Sequence, residues 1–246
     1  MPEWPRGGPP KDRIPSIDAP EFVAISEVGE WLSPNELVIV YADQDDVRAY
    51  PLQILMYHEL VNDVVNGRPV LISYCPLCNS AIVFDRTVGG ETLSFGVSGM
   101  LRNSDMVMYD RKTDSLWQQI TGEAVVGTYT GSQLKMLPSR MIPFHVFAGS
   151  FPQGRVLSRD TGVTRPYGRN PYEGYGFGSG PRFPPAGSRG RTIHPMERLV
   201  VLNQGNRPRA YTMSFVARSG VLEEKLDGRH IVIFYEPGAL SPVDRG

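Results

Sequence analysis

Cysteine is the scarcest informative residue here: two in 246, too few for the disulfide framework that staples small secreted folds. Charge of one sign is also missing. The 25 Lys+Arg and 26 Asp+Glu leave a net charge of -1, so no global field draws the chain to nucleic acid or to a membrane surface. No hydrophobic run is long enough to cross a bilayer. The first ten residues, Met1-Pro-Glu-Trp-Pro-Arg-Gly-Gly-Pro-Pro, lack the basic-then-apolar pattern of a secretory leader. As written the chain reads as cytoplasmic; a leader placed ahead of it would make it extracytoplasmic. What remains, 41% hydrophobic and 10% aromatic residues, is enough to bury a full core.

Both cysteines fall in one stretch, Ile72-Ser-Tyr-Cys75-Pro76-Leu77-Cys78-Asn79-Ser-Ala-Ile-Val-Phe84. Cys-Pro-x-Cys followed by Gly or Asn is the sequence of a metal knuckle, a turn that aims two thiolates at one ion. Pro76 fixes φ near −65°. The residue after the second cysteine tends to a left-handed conformation, which Asn tolerates second only to Gly. The same spacing can open a thioredoxin-like helix. Here, however, Pro69–Tyr74 and Ala81–Phe84 both have strand character, which favours a knuckle between strands. Two buried free thiols are the plain alternative.

Residues 1–20 hold six prolines and no periodicity, and read as an extended or disordered arm before a single domain over 21–246. Leu37–Tyr41 is a strand. Pro51 stands where a helix can begin, and Leu52, Leu55, Met56 and Leu60 trace one apolar face. On such a helix His58 and Asn62, and Glu59 and Asp63, are pairs four apart on common sides. Asn66-Gly67 is a turn. Further on, Gly96–Asp110 and Ser115–Gln118 mix polar side chains with aromatics and methionines, the composition of a pocket wall or of a polar turn between strands.

Aligned with itself, the chain repeats. Pro34–Pro76 matches Pro195–Pro237 at an offset of 161 without a gap, with 11 of 43 positions identical, Arg48/Arg209, Tyr50/Tyr211 and Gly67/Gly228 among them. A strand–helix–turn–strand unit is thus expected twice, as an internal duplication inside an α+β, strand-rich fold with short hairpins. Shared positions are then scaffold, and differing ones carry function. Opposite His58, Cys75 and Cys78 stand Ser219, Glu236 and Ala239.

Between the units, Arg155 to Arg209 holds ten arginines, no lysine and three acids, interleaved with Tyr167, Tyr172, Tyr175, Phe177 and Phe183. Arginine among aromatics can build a structural loop through cation–π contacts, clamp an anion or stack on bases. The structural loop ranks first and nucleic acid last.

Tyr50-Pro51, His58-Glu-Leu-Val-Asn62-Asp63, Tyr74-Cys75-Pro76-Leu77-Cys78, Phe84-Asp85-Arg86, Phe95-Gly96-Val97-Ser98-Gly99, Tyr109-Asp110, Ser115-Leu-Trp117 and Asp160-Thr161-Gly162 together resemble a bacterial and archaeal family known only as domain of unknown function 3179. The likeness runs from about Ile14 onward. It implies a single domain of that type and names no reaction. The family's usual residue after the second cysteine is Gly, so Asn79 is a departure.

Three functions compete. One is a metal site on Cys75, Cys78 and His58, open because a closed structural zinc needs four ligands and there is no second knuckle. Thiolate with imidazole suits zinc or copper, and Met100, Met106 and Met108 extend the copper case. Asn62 and Asp63 would support the imidazole from behind, with Ser98, Asp105 and Trp117 in the surrounding pocket. Asp105 and His145 are the reserve ligands. The second is a thiol–disulfide redox protein using Cys75 and Cys78. The third is a non-catalytic module that binds an anion or a partner. No substrate beyond an unidentified small molecule and no oligomeric state can be read.

Overall fold

The computed structural model describes residues 8–173, 175, 193–194, 196–202 and 208–238. In the first half β1 (Phe22–Ala24) and two 3-10 turns lead to β2 (Leu37–Asp43), β3 (Asp46–Pro51), α1 (Leu52–His58), β4 (Leu60–Val65), β5 (Arg68–Cys75) and β6 (Ser80–Asp85). A small hairpin, β7 (Thr87–Val88) and β8 (Glu91–Thr92), precedes the long hairpin β9 (Phe95–Arg102) and β10 (Asp105–Asp110). Then come β11 (Leu116–Gln118), β12 (Ala124–Val126), β13 (Lys135–Leu137), β14 (Arg140–Pro143), α2 (Phe144–Ser150) and β15 (Arg155–Leu157). The last described part holds β16 (Leu199–Leu202), β17 (Arg209–Thr212), α3 (Met213–Ser219), β18 (Val221–Leu226) and β19 (Arg229–Phe234). The class is α+β and strand-rich.

Three sheets make the body: β1-β15-β3-β2-β14, β13-β6-β5-β4 and β12-β11-β10-β9. The second sheet is apolar on both faces, as its sequence demands, because successive strand residues point opposite ways. Val70, Ile72, Tyr74 and Val83 enter one cluster with α1 and the first sheet. Leu71 and Phe84 enter another with Phe95, Met106, Met108 and Trp117 of the third sheet. On the far face of the first sheet, α2 delivers Phe147 onto Val38, Val40, Ala49 and Val156.

The helix is shorter than the i, i+4 pattern predicts. α1 closes at His58, and Glu59 stands at φ 60°, ψ −35°. The next six residues, Leu60-Val-Asn-Asp-Val-Val65, pair antiparallel with β5. Three valines in six favour a strand, since β-branching stiffens χ1. Asn62 and Asp63 therefore lie on β4, and their spacing from His58 and Glu59 was a coincidence of period.

Of the arm, residues 8–20 run along the body. Gly8 and Asp12 donate backbone hydrogen bonds to Gly99 and Val97, and buried Ile17 bridges Val61 in parallel. Gly99 permits this approach: a Cβ there would meet the Pro9 carbonyl at 1.9 Å.

The two repeat-like units match element for element. Adding 161 to Leu52–His58 gives Met213–Ser219, and adding it to Leu60–Val65 gives Val221–Leu226. The registers follow: Val38 faces Pro51 as Leu199 faces Thr212, and Leu60 faces Ser73 as Val221 faces Phe234. Both second hairpins turn on two left-handed residues, Asn66-Gly67 and Asp227-Gly228. That is the turn whose twist suits a two-residue hairpin.

Candidate metal centre

β5 ends at Cys75 and β6 begins at Ser80, with Cys75 facing Ser80 across the sheet. The intervening turn closes through Cys78 N–H to the Cys75 carbonyl at 3.2 Å and Asn79 N–H to the Pro76 carbonyl at 3.3 Å. Asn79 sits at φ 48°, the left-handed position expected of it. Its side-chain oxygen accepts a hydrogen bond from the Tyr74 hydroxyl at 2.9 Å. The sequence thus builds a knuckle between strands, and the thioredoxin-type helix is absent.

The two sulfurs lie 2.8 Å apart, and both cysteines are free. Cys75 is buried and Cys78 half-buried. Asp105, first residue of β10, brings a carboxylate oxygen to 3.2 Å from the Cys78 sulfur, and the Ser104 carbonyl lies 3.5 Å from it. Ligand atoms of Cys75, Cys78 and Asp105 all fall within 4.8 Å of one another. This group could hold a metal ion. Its hydrogen bond to Cys75, then burial and the nearby Asp105, push the Cys78 thiol well above its ordinary range. Burial likewise raises Asp105, against the Ile120 N–H that donates to it at 3.0 Å. Three would-be anions crowd one point, and a cation is the partner that would let them ionise together.

His58 is not in that group. Its Nδ1 lies 2.7 Å from the Pro15 carbonyl and its Nε2 2.5 Å from the Tyr167 hydroxyl, so both ring nitrogens are engaged. The remaining residues expected around the site hold the scaffold. Asn62 exchanges hydrogen bonds with the backbone of Phe95, and Asp63 binds Arg48 and Tyr50. Ser98 bonds the Val107 carbonyl across the irregularity in the β9–β10 hairpin. Trp117 donates Nε1–H to Asp110 at 3.0 Å, and His145 faces the Pro34 carbonyl at 2.9 Å.

The knuckle is a wall between two cavities. On one side, a cavity of about 390 Å³ is lined by α1, the β9–β10 hairpin, the N-terminal arm and the loop after β15, with Cys75, Glu59, Tyr57, Arg165 and Tyr172 as its polar or titratable lining. On the other, a groove of about 1100 Å³ is bordered by Cys78, Asn79, Ser104 and the second unit. From Gly96–Asp110, the residues Val97, Gly99, Met100, Leu101 and Met106 line the first cavity, whereas Ser98, Asp105 and Trp117 line neither cavity.

A family model described as "Protein of unknown function (DUF3179)" matches residues 11–246. The chain belongs to the DUF3179 family. No curated protein and no solved structure shows significant similarity to it. Within this DUF3179 chain, sequence reasoning passed over Glu59. It is only 7% exposed, and burial pushes its carboxyl from an ordinary 4.5 up to about 8, opposed only by a hydrogen bond from Tyr172. The available signal was a lone acid inside the apolar run Leu52–Val61.

The loop after β15 supports the cation–π expectation where it is described: the Arg159 guanidinium lies 5.7 Å from the Trp31 ring and 5.6 Å from the Tyr167 ring. Phe177 and Phe183 lie outside the described residues. Among the described residues no helix is long and apolar enough to cross a membrane.

Proposed function

We propose that the protein binds one transition-metal ion, zinc or copper, on Cys75, Cys78 and Asp105, with a coordination position left open. The observation that carries this is the convergence of two thiols and a carboxylate at the tip of a knuckle. Three protein ligands are the number that leaves a fourth position free on a four-coordinate ion. Asp105 takes the place first given to His58, because neither imidazole nitrogen is spare. Thiolates with carboxylate favour zinc; the thioethers of Met56, Met100 and Met106 on the same cavity favour copper.

A thiol–disulfide reaction is the second reading, favoured by the 2.8 Å sulfur contact. Two sulfurs on one tetrahedral zinc stand about 3.8 Å apart, given bonds near 2.3 Å, so the knuckle would have to open by about 1 Å to take it.

We further infer that residues 34–76 and 195–237 descend from one duplicated unit. Support comes from the shared offset of helices and hairpin registers, and from an ion pair in both, Arg48–Asp63 and Arg209–Glu224, each at 2.7 Å. The second unit has Glu236 where the first has Cys75, and the same offset puts Ala239 opposite Cys78 just beyond the matched stretch.

Elemental analysis of anaerobically purified protein tests the assignment. Near-stoichiometric metal, lost in Cys75→Ser, Cys78→Ser and Asp105→Ala but kept in His58→Ala, is expected. Metal-free wild type whose Cys75–Cys78 disulfide cycles with reductant would replace it with the redox reading.

A further inference from the structure

Glu59 and Gly220 occupy one position in the two units. Each follows a seven-residue helix, each donates its N–H back into the last turn, to Leu55 and Val216, and each has positive φ with negative ψ, 60°/−35° against 69°/−57°. Glycine adopts such a backbone at little steric cost, whereas a side chain there is strained by about 1–3 kcal/mol. In the first unit that position carries a glutamate whose carboxyl is buried, and among the described residues no cation forms an ion pair with it. Strained backbone and an uncompensated buried acid both act against the fold. Their coincidence at a cavity wall points to a use for the side chain there.

Arg165 lines the same cavity, and among the described residues it has no carboxylate partner. Most of the remaining lining is apolar, with Met56, Leu77, Val97 and Met106 in it. The titratable and charged groups that line the cavity with Glu59 are few: Tyr57 from α1, Cys75 from the end of β5, and Arg165 and Tyr172 from the loop, of which Tyr172 hydrogen-bonds Glu59. The arm and the β9–β10 hairpin contribute none to the lining. About 390 Å³ falls in the range of small-molecule sites, which are mostly apolar with a few placed polar groups.

We propose that this cavity binds a small, mostly apolar organic anion, held by the Arg165 guanidinium and the Glu59 carboxyl that both line it. Binding then takes up one proton whenever Glu59 starts ionised, because carboxylate and anion cannot share the cavity. Arg165 supplies the charge-assisted contact, and neutral Glu59 donates its O–H. The site shares Cys75 with the metal reading and does not rest on it.

Calorimetric titration with hexanoate, and with 1-hexanol as its neutral counterpart, tests this on the full chain. Hexanoate is expected to bind more tightly than hexanol, and Arg165→Gln to weaken hexanoate by about 10-fold or more while leaving hexanol unchanged. In wild type the hexanoate affinity falls as pH rises through about 8, where Glu59 ionises, and in Glu59→Gln that fall disappears. Equal binding of the two probes, a wild-type pH profile identical to that of Glu59→Gln, or no binding of either at millimolar concentration overturns the proposal. Chelator-treated protein separates it from the metal assignment. Binding that persists without metal supports the cavity site whatever the metal analysis gives, and binding that vanishes with the metal refutes the roles given to Arg165 and Glu59.

Discussion

Arg48 holds Asp63 through both carboxylate oxygens, at 2.7 and 2.8 Å, and joins β3 to β4 across the end of α1. Tyr50 donates its hydroxyl to the same carboxylate at 2.6 Å, and Asp46 accepts from the other side of the guanidinium. The side chains of the pair are only 11% and 5% exposed. The equivalent pair in the second unit, Arg209 and Glu224, is 50% and 29% exposed. Removing one partner of a buried pair leaves an uncompensated charge, so Asp63→Ala should cost about 3–5 kcal/mol. Arg209→Ala should cost under about 1 kcal/mol, because exposed pairs are screened by water. Urea unfolding of both variants checks this; equal costs would mean that burial is not what separates the two pairs.

His58 ties the N-terminal arm to the loop after β15, through Pro15 on one nitrogen and Tyr167 on the other. Burial depresses its proton affinity below the ordinary 6.5, more than the Pro15 carbonyl restores it. The folded state then prefers neutral imidazole. That contribution is complete above about 6.5 and is lost as pH falls from there through the lower folded value. Wild type should therefore lose stability on acidification faster than His58→Gln, by up to about 1.4 kcal/mol per pH unit in that window. Denaturant curves at pH 7.5 and 5 give the comparison, and parallel curves would remove His58 from the balance.

Local chemistry made much of this chain legible. Pro76 and Asn79 specify the knuckle by their backbone preferences alone, and the paired turns Asn66-Gly67 and Asp227-Gly228 announce two hairpins of the same kind. The end of α1 was not legible. Period alone carried the helix on to Asp63, and only the long-range pairing of Leu60–Val65 with β5 overrides it. His58 does lie on the helix, as its last residue, but its two nitrogens meet Pro15 and Tyr167, long-range partners that its own stretch does not announce. Which oxygen or nitrogen reaches the sulfurs depends on β10 crossing the knuckle, a contact 27 residues away in sequence that leaves no local mark. Glu59 falls inside the stretch His58–Asp63, yet a lone acid beside Leu and Val names no chemistry, and its meaning emerged only beside Gly220.

Asn79 pays for its left-handed backbone less than most residues would. Replacing it with alanine should destabilise the knuckle by about 1 kcal/mol and also remove the acceptor of the Tyr74 hydroxyl, whereas Asn79→Gly should lose only the latter. If metal binds here, Asn79→Ala should lower its affinity more than Asn79→Gly does. Competitive chelator titration measures both, and the reverse order would show that the side chain matters more than the turn.

Glu59 gives the sharpest pH prediction. Its carboxyl is raised from 4.5 to about 8 in the fold, chiefly by burial. Folding thus favours the protonated form: the contribution is fully present below about 4.5 and is lost as pH rises through about 8. Relative to Glu59→Gln, which cannot ionise, wild type should lose up to about 5 kcal/mol between these limits and change no further above them. Glu59→Gly separates the backbone from the charge. It removes the ionisable group and restores the residue that the second unit uses at this position, so at pH 9 it should be the more stable of Glu59→Gly and wild type. At pH 5 the ordering rests on backbone strain against the lost Tyr172 hydrogen bond, and the gap should close to about 1 kcal/mol. Urea unfolding of the three proteins at pH 5, 7 and 9 decides it. If wild type and Glu59→Gln run parallel over that range, the carboxyl is ionised in the folded protein at neutral pH, and burial does not hold it protonated.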